Sequence, residues 1–226
     1  MAERRLDFDR EVALQQLPAR VRPAFQALWE LDLALADVVA TSTDAELGAI
    51  RLAWWRERLE ELDLGKEPLA EPRLQSVVAG LLPRGVTGRE LSSLEHAWLP
   101  LLEPFPWGDR QAEAIRLRGR ILFGIGAHLL DWDRAEAEPA GALWSLVDGA
   151  AHCSDVHSRM FLLDQARKMI RDLPGPRPPR RARGLTVLAA LAGHEALRNK
   201  PLDVGRDWGR VAVATIHGLR GSFPRG

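Results

Sequence analysis

Residues 22–62 read RPAFQALWELDLALADVVATSTDAELGAIRLAWWRERLEEL: a helix, a short polar turn and a second helix. Pro23 suits the first turn of a helix, where its missing N–H leaves nothing unsatisfied. Phe25, Leu28, Leu31, Leu35 and Val38 or Val39 then recur at three- and four-residue spacing, as in a helix with one buried face. Thr41-Ser42-Thr43 breaks the pattern. Thr43, with Glu46 three residues on, reads as a capping box: the hydroxyl accepts from an orphan N–H and the carboxylate reaches back. The second helix is expected to bury Leu47, Ile50, Trp54 and Leu62, with Leu52, Trp55 and Leu59 beside them. A helix apolar over so much of its girth belongs at the centre of a bundle. Arg51, Arg56, Glu57, Arg58, Glu60 and Glu61 can pair at helical spacing along its solvated side.

The same punctuation continues outward. A short helix is expected over residues 8–17, stopped by Pro18, and another from Pro72 to about Leu82. Thr87 and Glu90 form a second capping box before Leu91, Leu94, Trp98 and Leu101. Asp109 is a cap for a helix running to about Leu130, and Pro139 is read as the start of one through Trp144, Leu146 and Val147. Ser154 or Asp155 begins a helix that ends before Pro174. PGPRPPRR at 174–181 reads as an exposed Pro-rich linker, since consecutive prolines favour an extended chain. Helices near 182–197 and 207–219 complete the series. Strand-like alternation, hairpin dipeptides and internal repeats are absent, so the chain is expected to be all-α.

Composition narrows the possibilities. The 226 residues, 46% hydrophobic with no shift along the chain, suit one sizeable domain spanning 1–226. The formal net charge of zero gives no electrostatic case for nucleic acid or an anionic membrane surface. The cations are overwhelmingly Arg, with Lys at 66, 168 and 200 alone, a bias that fits a GC-rich genome better than selection for phosphate binding. A single cysteine, Cys153, excludes an internal disulfide and fits a reducing compartment. MAERRLDFDRE lacks the apolar core of a secretory signal, and no apolar run is long enough to span a bilayer. The expected location is cytoplasmic, with at most peripheral membrane contact.

Two stretches carry a family resemblance. Ile50-Arg51-Leu52-Ala53-Trp54-Trp55-Arg56 resembles the IRLQWWR element of the squalene/phytoene synthases, with one change. The family's DDxxD-type motif then falls on Ala36-Asp37-Val38-Val39-Ala40, so Ala36 and Ala40 stand where metal-facing aspartates would be. A second family motif, LVNxLRDxxED, resembles the segment from Leu146 to Val156. There Asp148 replaces the asparagine, Ala151 the arginine, Asp155 the glutamate, and His152 and Val156 the two metal-facing aspartates. The resemblance implies an isoprenoid-synthase-type helical bundle. In register over residues 27–56 it is most similar to the branch that includes mitochondrial complex I assembly factors, where the first motif is eroded.

The losses bear on chemistry. Ionising an allylic diphosphate requires its charge to be neutralised, which Mg²⁺ does by bridging phosphate oxygens to carboxylates. Aspartates at i and i+4 share one helical face, so two such helices can hold a metal cluster. Alanine, histidine and valine at these positions remove all four carboxylates, and Asp37 and Asp155 lie about 100° around the helix from them. The resemblance therefore implies a protein that has lost Mg-dependent prenyl transfer. No metal site or cofactor is expected, and its role would be to bind an isoprenoid or other lipid, or to assist assembly through a protein partner such as a respiratory-complex subunit. Two alternatives stand beside it. One is an active prenyltransferase using Mg²⁺ through Asp32, Asp37, Asp148 and Asp155. The other is a regulatory subunit of a catalytic paralogue. Remnant catalytic candidates are Asp37, Asp148 and Asp155; Arg51, Trp55 and Gly124 are candidates for substrate or lipid contact.

Other groupings have plainer readings. Asp203-Val204-Gly205-Arg206-Asp207 is a literal DxxxD, but Gly205 interrupts it and Asp207 suits a helix cap. Asp131-Trp132-Asp133 reads as a polar turn. His152, Cys153, Asp155 and His157 form the most metal-like cluster, yet no second pair stands elsewhere to complete it. Cys153 is a small buried residue before it is a nucleophile. Gly119, Gly124 and Gly126 mark either a close approach by a ligand or close helix packing. Trp29, Trp54, Trp55, Trp98 and Trp144 fit helical core positions.

Overall fold

The computed structural model describes residues 6–172, 177–198 and 208–223. Among the described residues there is no strand. The helices are α1 (Phe8–Gln16), α2 (Arg22–Thr41), α3 (Ala45–Asp63), α4 (Pro72–Gly80), α5 (Gly88–Ser92), α6 (Leu94–Trp98), α7 (Asp109–Leu129), α8 (Arg134–His152), α9 (Val156–Asp172), α10 (Arg183–Leu197) and α11 (Trp208–Arg220). The chain is all-α, as the periodicity requires. It folds as two compact units: Arg20–Pro104, and the described residues of Arg5–Ala19 with Phe105–Gly226. The DxxxD at 203–207, with its proposed cap Asp207, lies outside the described residues, as do residues 174–176 of the Pro-rich segment. No helix among the described residues is long and apolar enough to cross a membrane.

In the first unit, α2 buries Phe25, Leu28, Leu31, Leu35 and Val38 as their spacing indicates, and beyond that single face it also buries Trp29, Asp32, Leu33 and Ala34, so it is enclosed around most of its girth. It ends where the hydroxyls of Thr41 and Ser42 donate back to the carbonyls of Asp37 and Val38, both at 2.6 Å, a local competitor to helical bonding. The next helix is capped one residue later than the capping-box pattern indicates. Asp44, not Thr43, accepts the Leu47 N–H at 3.0 Å. A carboxylate there also meets the positive end of the helix dipole, an advantage a hydroxyl lacks.

The buried face of α3 also differs from the expected one. Gly48, Leu52, Trp55, Leu59 and Leu62 point inward, whereas Leu47, Ile50 and Trp54 are 62%, 65% and 37% exposed. Gly48 decides between them. A Cβ there would sit 2.6 Å from a Leu102 methyl and 2.9 Å from the Ser42 hydroxyl, so glycine lets this side of α3 close on its neighbours without either side chain having to shift. Further along, Gly88 opens α5 directly against the Leu59 carbonyl, which a Cβ would meet at 1.9 Å. Asp63 accepts from the backbone N–H groups of Gly88 and Arg89 at 2.7 and 2.8 Å, and Thr87 caps α5 as expected.

In the second unit, α7 and α8 form a hairpin around the turn 130–133. Asp131 there adopts the left-handed φ of 52°, and Asp133 caps α8 by accepting the Ala135 N–H at 2.7 Å. Arg181 donates to the carbonyls of Leu130 and Asp131, tying the hairpin turn to the segment before α10. Pro139 does not start α8 but lies inside it; its lost hydrogen bond is tolerated because the Asp133 cap has already nucleated the helix. Asp109 is likewise the first residue of α7 rather than its cap, and the Gln111 side chain accepts the Gly108 N–H at 3.0 Å. Gly119 and Gly141 meet backbone to backbone: a Cβ on either would lie 2.1–2.2 Å from the other's carbonyl oxygen. Gly124 has no such constraint, its nearest neighbour being 3.5 Å away. The apolar α10 is the axis of this unit and packs against α1, α8, α9 and α11. Pro178 is buried, so 177–179 is anchored rather than freely exposed.

Candidate functional site

A concentration of largely buried charge in the second unit gathers around Asp148, on the face of α8 that also carries Trp144 and His152. One oxygen of Asp148 accepts from Arg118 of α7 at 2.7 Å. The other lies 3.4 Å from the guanidinium of Arg10 on α1 and 3.7 Å from His152 Nδ1. Both arginines are almost completely buried, with 2% and 4% of their side chains exposed. Each places its guanidinium about 5 Å from the centre of the Trp144 ring, at 4.9 and 5.0 Å, so the indole helps compensate for their desolvation. Arg10 is further held by Asp7, which also caps α1 through the Arg10 N–H at 2.9 Å. Burial alone would push the Asp148 carboxyl up, but the charges of Arg10, Arg118 and His152 and the Arg118 hydrogen bond hold it far below the usual carboxylate range.

A second network adjoins it. Arg210 of α11, 1% exposed, donates to Glu195 of α10 at 2.8 Å and to Asp9 of α1. Burial opposes its charge, yet the bonds and charges of Asp9 and Glu195 raise its pKa above the ordinary value. For Asp9, burial outweighs the pull of Arg210 and the carboxyl is pushed up. Between the two networks lies a cavity of about 50 Å³, lined by Asp7, Asp9, Trp144, Asp148, His152 and Arg210 among others. It has room for a water or two at about 30 Å³ each, far less than the roughly 300 Å³ at which drug-sized ligand pockets begin.

The remaining candidates are dispersed. Asp37 on α2 is partly exposed, with Arg73 at 3.8 Å. Asp32 is fully buried and accepts the Trp98 indole N–H at 3.2 Å. Asp155 caps α9, accepting from the backbone N–H and the hydroxyl of Ser158 at 2.8 and 2.7 Å, and these bonds lower its pKa. Arg51 is exposed and reaches the Thr41 hydroxyl at 3.3 Å. Trp55 is buried edge-to-face against Trp54, and Gly124 lies beside Arg134 and Glu138. His152 Nδ1 lies 2.9 Å from the Asp148 carbonyl, while the Cys153 thiol, pushed up by burial, points at the Asp155 carbonyl.

This donor set does not fit a Mg²⁺ cluster, which needs several carboxylate and water oxygens disposed octahedrally. The motif positions hold Ala36, Ala40, His152 and Val156. The carboxylates beside them are committed elsewhere, Asp148 to two arginines and Asp155 to a helix cap. Among the described residues no three His, Cys, Asp or Glu side chains converge as metal ligands.

Arg10, Arg118, Glu195 and Arg210 were not marked by any sequence motif, since Arg10 and Asp148 are 138 residues apart. Local hints are Asp7 with Arg10 and Glu195 with Arg198 at i,i+3, and Asp148 with His152 at i,i+4. Among known families, the model described as squalene/phytoene synthase matches residues 4–84. The match takes in Ala36–Ala40 and Ile50–Arg56 and stops short of Asp148. No curated protein and no solved structure matches the chain.

Proposed function

From the match of residues 4–84 to the squalene/phytoene synthase family model, we propose that this chain has lost Mg-dependent prenyl transfer and works by binding. Its target is an isoprenoid or other lipid, or a protein such as a respiratory-complex subunit or a catalytic paralogue. One observation carries the reading. Asp148, the largely buried carboxylate of the second motif-like segment, is neutralised by Arg10 and Arg118. A metal bound there would compete with both guanidiniums for the carboxylate and leave them poorly compensated. The exposed Leu47, Ile50 and Trp54 of α3 support a binding role, since clustered apolar side chains on a surface mark interaction sites.

The test is calorimetric titration with a non-ionisable farnesyl thiodiphosphate, with and without Mg²⁺. The reading predicts the same affinity, or the same lack of binding, in both. Tightening by Mg²⁺ that disappears in Asp37→Ala or Asp155→Ala would replace it with an active prenyltransferase whose metal site is rearranged.

A further inference from the structure

The formal neutrality of the chain hides a strong asymmetry. Residues 174–226 hold ten Lys/Arg against three Asp/Glu, whereas residues 1–173 hold 21 against 28. The basic segment includes α11, which is two-faced. Its inner face buries Arg210, Ala214 and His217. Its outer face exposes Trp208, Ile216 and Leu219 at 89%, 49% and 74%, with Ala212 between them, at helical spacings of four, four and three residues. From Trp208 to the end of the sequence there is no acidic residue. The acids that α11 does meet, Asp9 and Glu195, are bound to Arg210 on its inner face.

Arginines lie near the C-terminal end of α11. Arg183 donates to the carbonyls of Gly218 and Leu219 at 3.2 and 2.6 Å, which satisfies the helix terminus and complements its dipole. Gly221 packs against Pro178, placing the segment that carries Arg177 and Arg180 beside the end of α11. Arg177, Arg180 and Arg220 are all exposed. The result is a convex helix face with a tryptophan at one end, large aliphatic side chains along it and cations at the other end. A convex, acid-free face of this kind suits a fluid anionic surface better than a protein groove, which would have to be shaped to receive it.

We propose that the outer face of α11, with Arg177, Arg180 and Arg220, docks on an anionic phospholipid bilayer. The apolar side chains enter the headgroup boundary and the arginines neutralise lipid phosphates. Docking by this face does not depend on whether the chain retains catalysis.

The experiment is co-sedimentation of the full chain with vesicles of phosphatidylglycerol and phosphatidylcholine, and with phosphatidylcholine alone. Binding to the anionic vesicles, weakened by salt, is expected, with little binding to the neutral ones. Ile216→Ser with Leu219→Ser changes only exposed positions and should lower the partition roughly tenfold or more. Each of Arg177→Gln, Arg180→Gln and Arg220→Gln should lower it roughly fivefold. Circular dichroism of each variant checks that the fold is retained. Failure of the wild-type chain to bind anionic vesicles would overturn the proposal, as would binding indifferent to both sets of changes. A lipid-free wild-type dimer that Ile216→Ser with Leu219→Ser dissociates would assign the face to a second copy instead.

Discussion

Replacing Asp148 by alanine should destabilise the unit that contains it by about 3 kcal/mol. The carboxylate is only 13% exposed and lies between Arg118 at 2.7 Å and Arg10 at 3.4 Å, both nearly buried. Removing one member of a buried ion pair leaves an uncompensated charge, a change that typically costs about 3–5 kcal/mol. The lower end applies because Arg10 keeps Asp7 and both guanidiniums keep the Trp144 ring. For a chain of this size the loss corresponds to a fall in Tm of about 6–12 °C. Urea unfolding followed by circular dichroism would measure it directly. Asp148→Asn provides a second reading, because the amide keeps the shape and one acceptor but not the charge. The folded carboxyl is held below its unfolded pKa, so its stabilisation is complete above about pH 4 and declines as pH falls toward the folded value. The difference between wild type and Asp148→Asn should therefore narrow as pH drops below about 4. Losses under about 1 kcal/mol for both variants at neutral pH, or a difference that widens on acidification, would refute the pairing argument.

Three further predictions concern packing and pH. Gly141→Ala should cost about 3 kcal/mol in urea unfolding, because its Cβ would meet the Gly119 carbonyl at 2.2 Å and Phe123 at 2.7 Å. Gly124→Ala should be neutral or stabilise by up to about 1 kcal/mol, since nothing lies closer than 3.5 Å and alanine favours helix. His217 is fully buried between the Thr186 hydroxyl at 2.8 Å and the Ser222 carbonyl at 2.9 Å, and burial depresses its pKa. The folded state then resists protonation, so stability falls as pH drops through the unfolded value of about 6.5. Urea midpoints on either side of that pH should show the decline in wild type and a weaker one in His217→Gln.

The sequence made the helices legible, and much less of the site. Phe25, Leu28, Leu31, Leu35 and Val38 are buried on α2 as their spacing indicates, but Trp29, Asp32, Leu33 and Ala34 are buried as well, so the helix is covered around most of its girth and not on one face. The same reasoning failed on α3. There apolar residues run around the helix, so periodicity left the buried face open and the fit of Gly48 against Leu102 settled it. Capping was readable to within one residue, Asp44 displacing Thr43, since several polar residues compete in one turn and only the backbone angles choose. Pro139 misled because proline is common at helix starts, yet an earlier cap at Asp133 lets a helix run through it. The glycine spacing drew attention to Gly124, whereas the close backbone contact is between Gly119 and Gly141. Asp148 was marked by its motif-like position, but the arginines that hold it come from α1 and α7, and no local pattern announces such partners. The neutrality of the chain as a whole also concealed the basic, acid-free face of α11.

Diphosphate release from farnesyl and geranylgeranyl diphosphate, measured on the pure folded chain with and without Mg²⁺, tests the central claim most directly. The account predicts no release above the protein-free background under either condition. Mg²⁺-dependent turnover that disappears in Asp37→Ala or Asp155→Ala would contradict it.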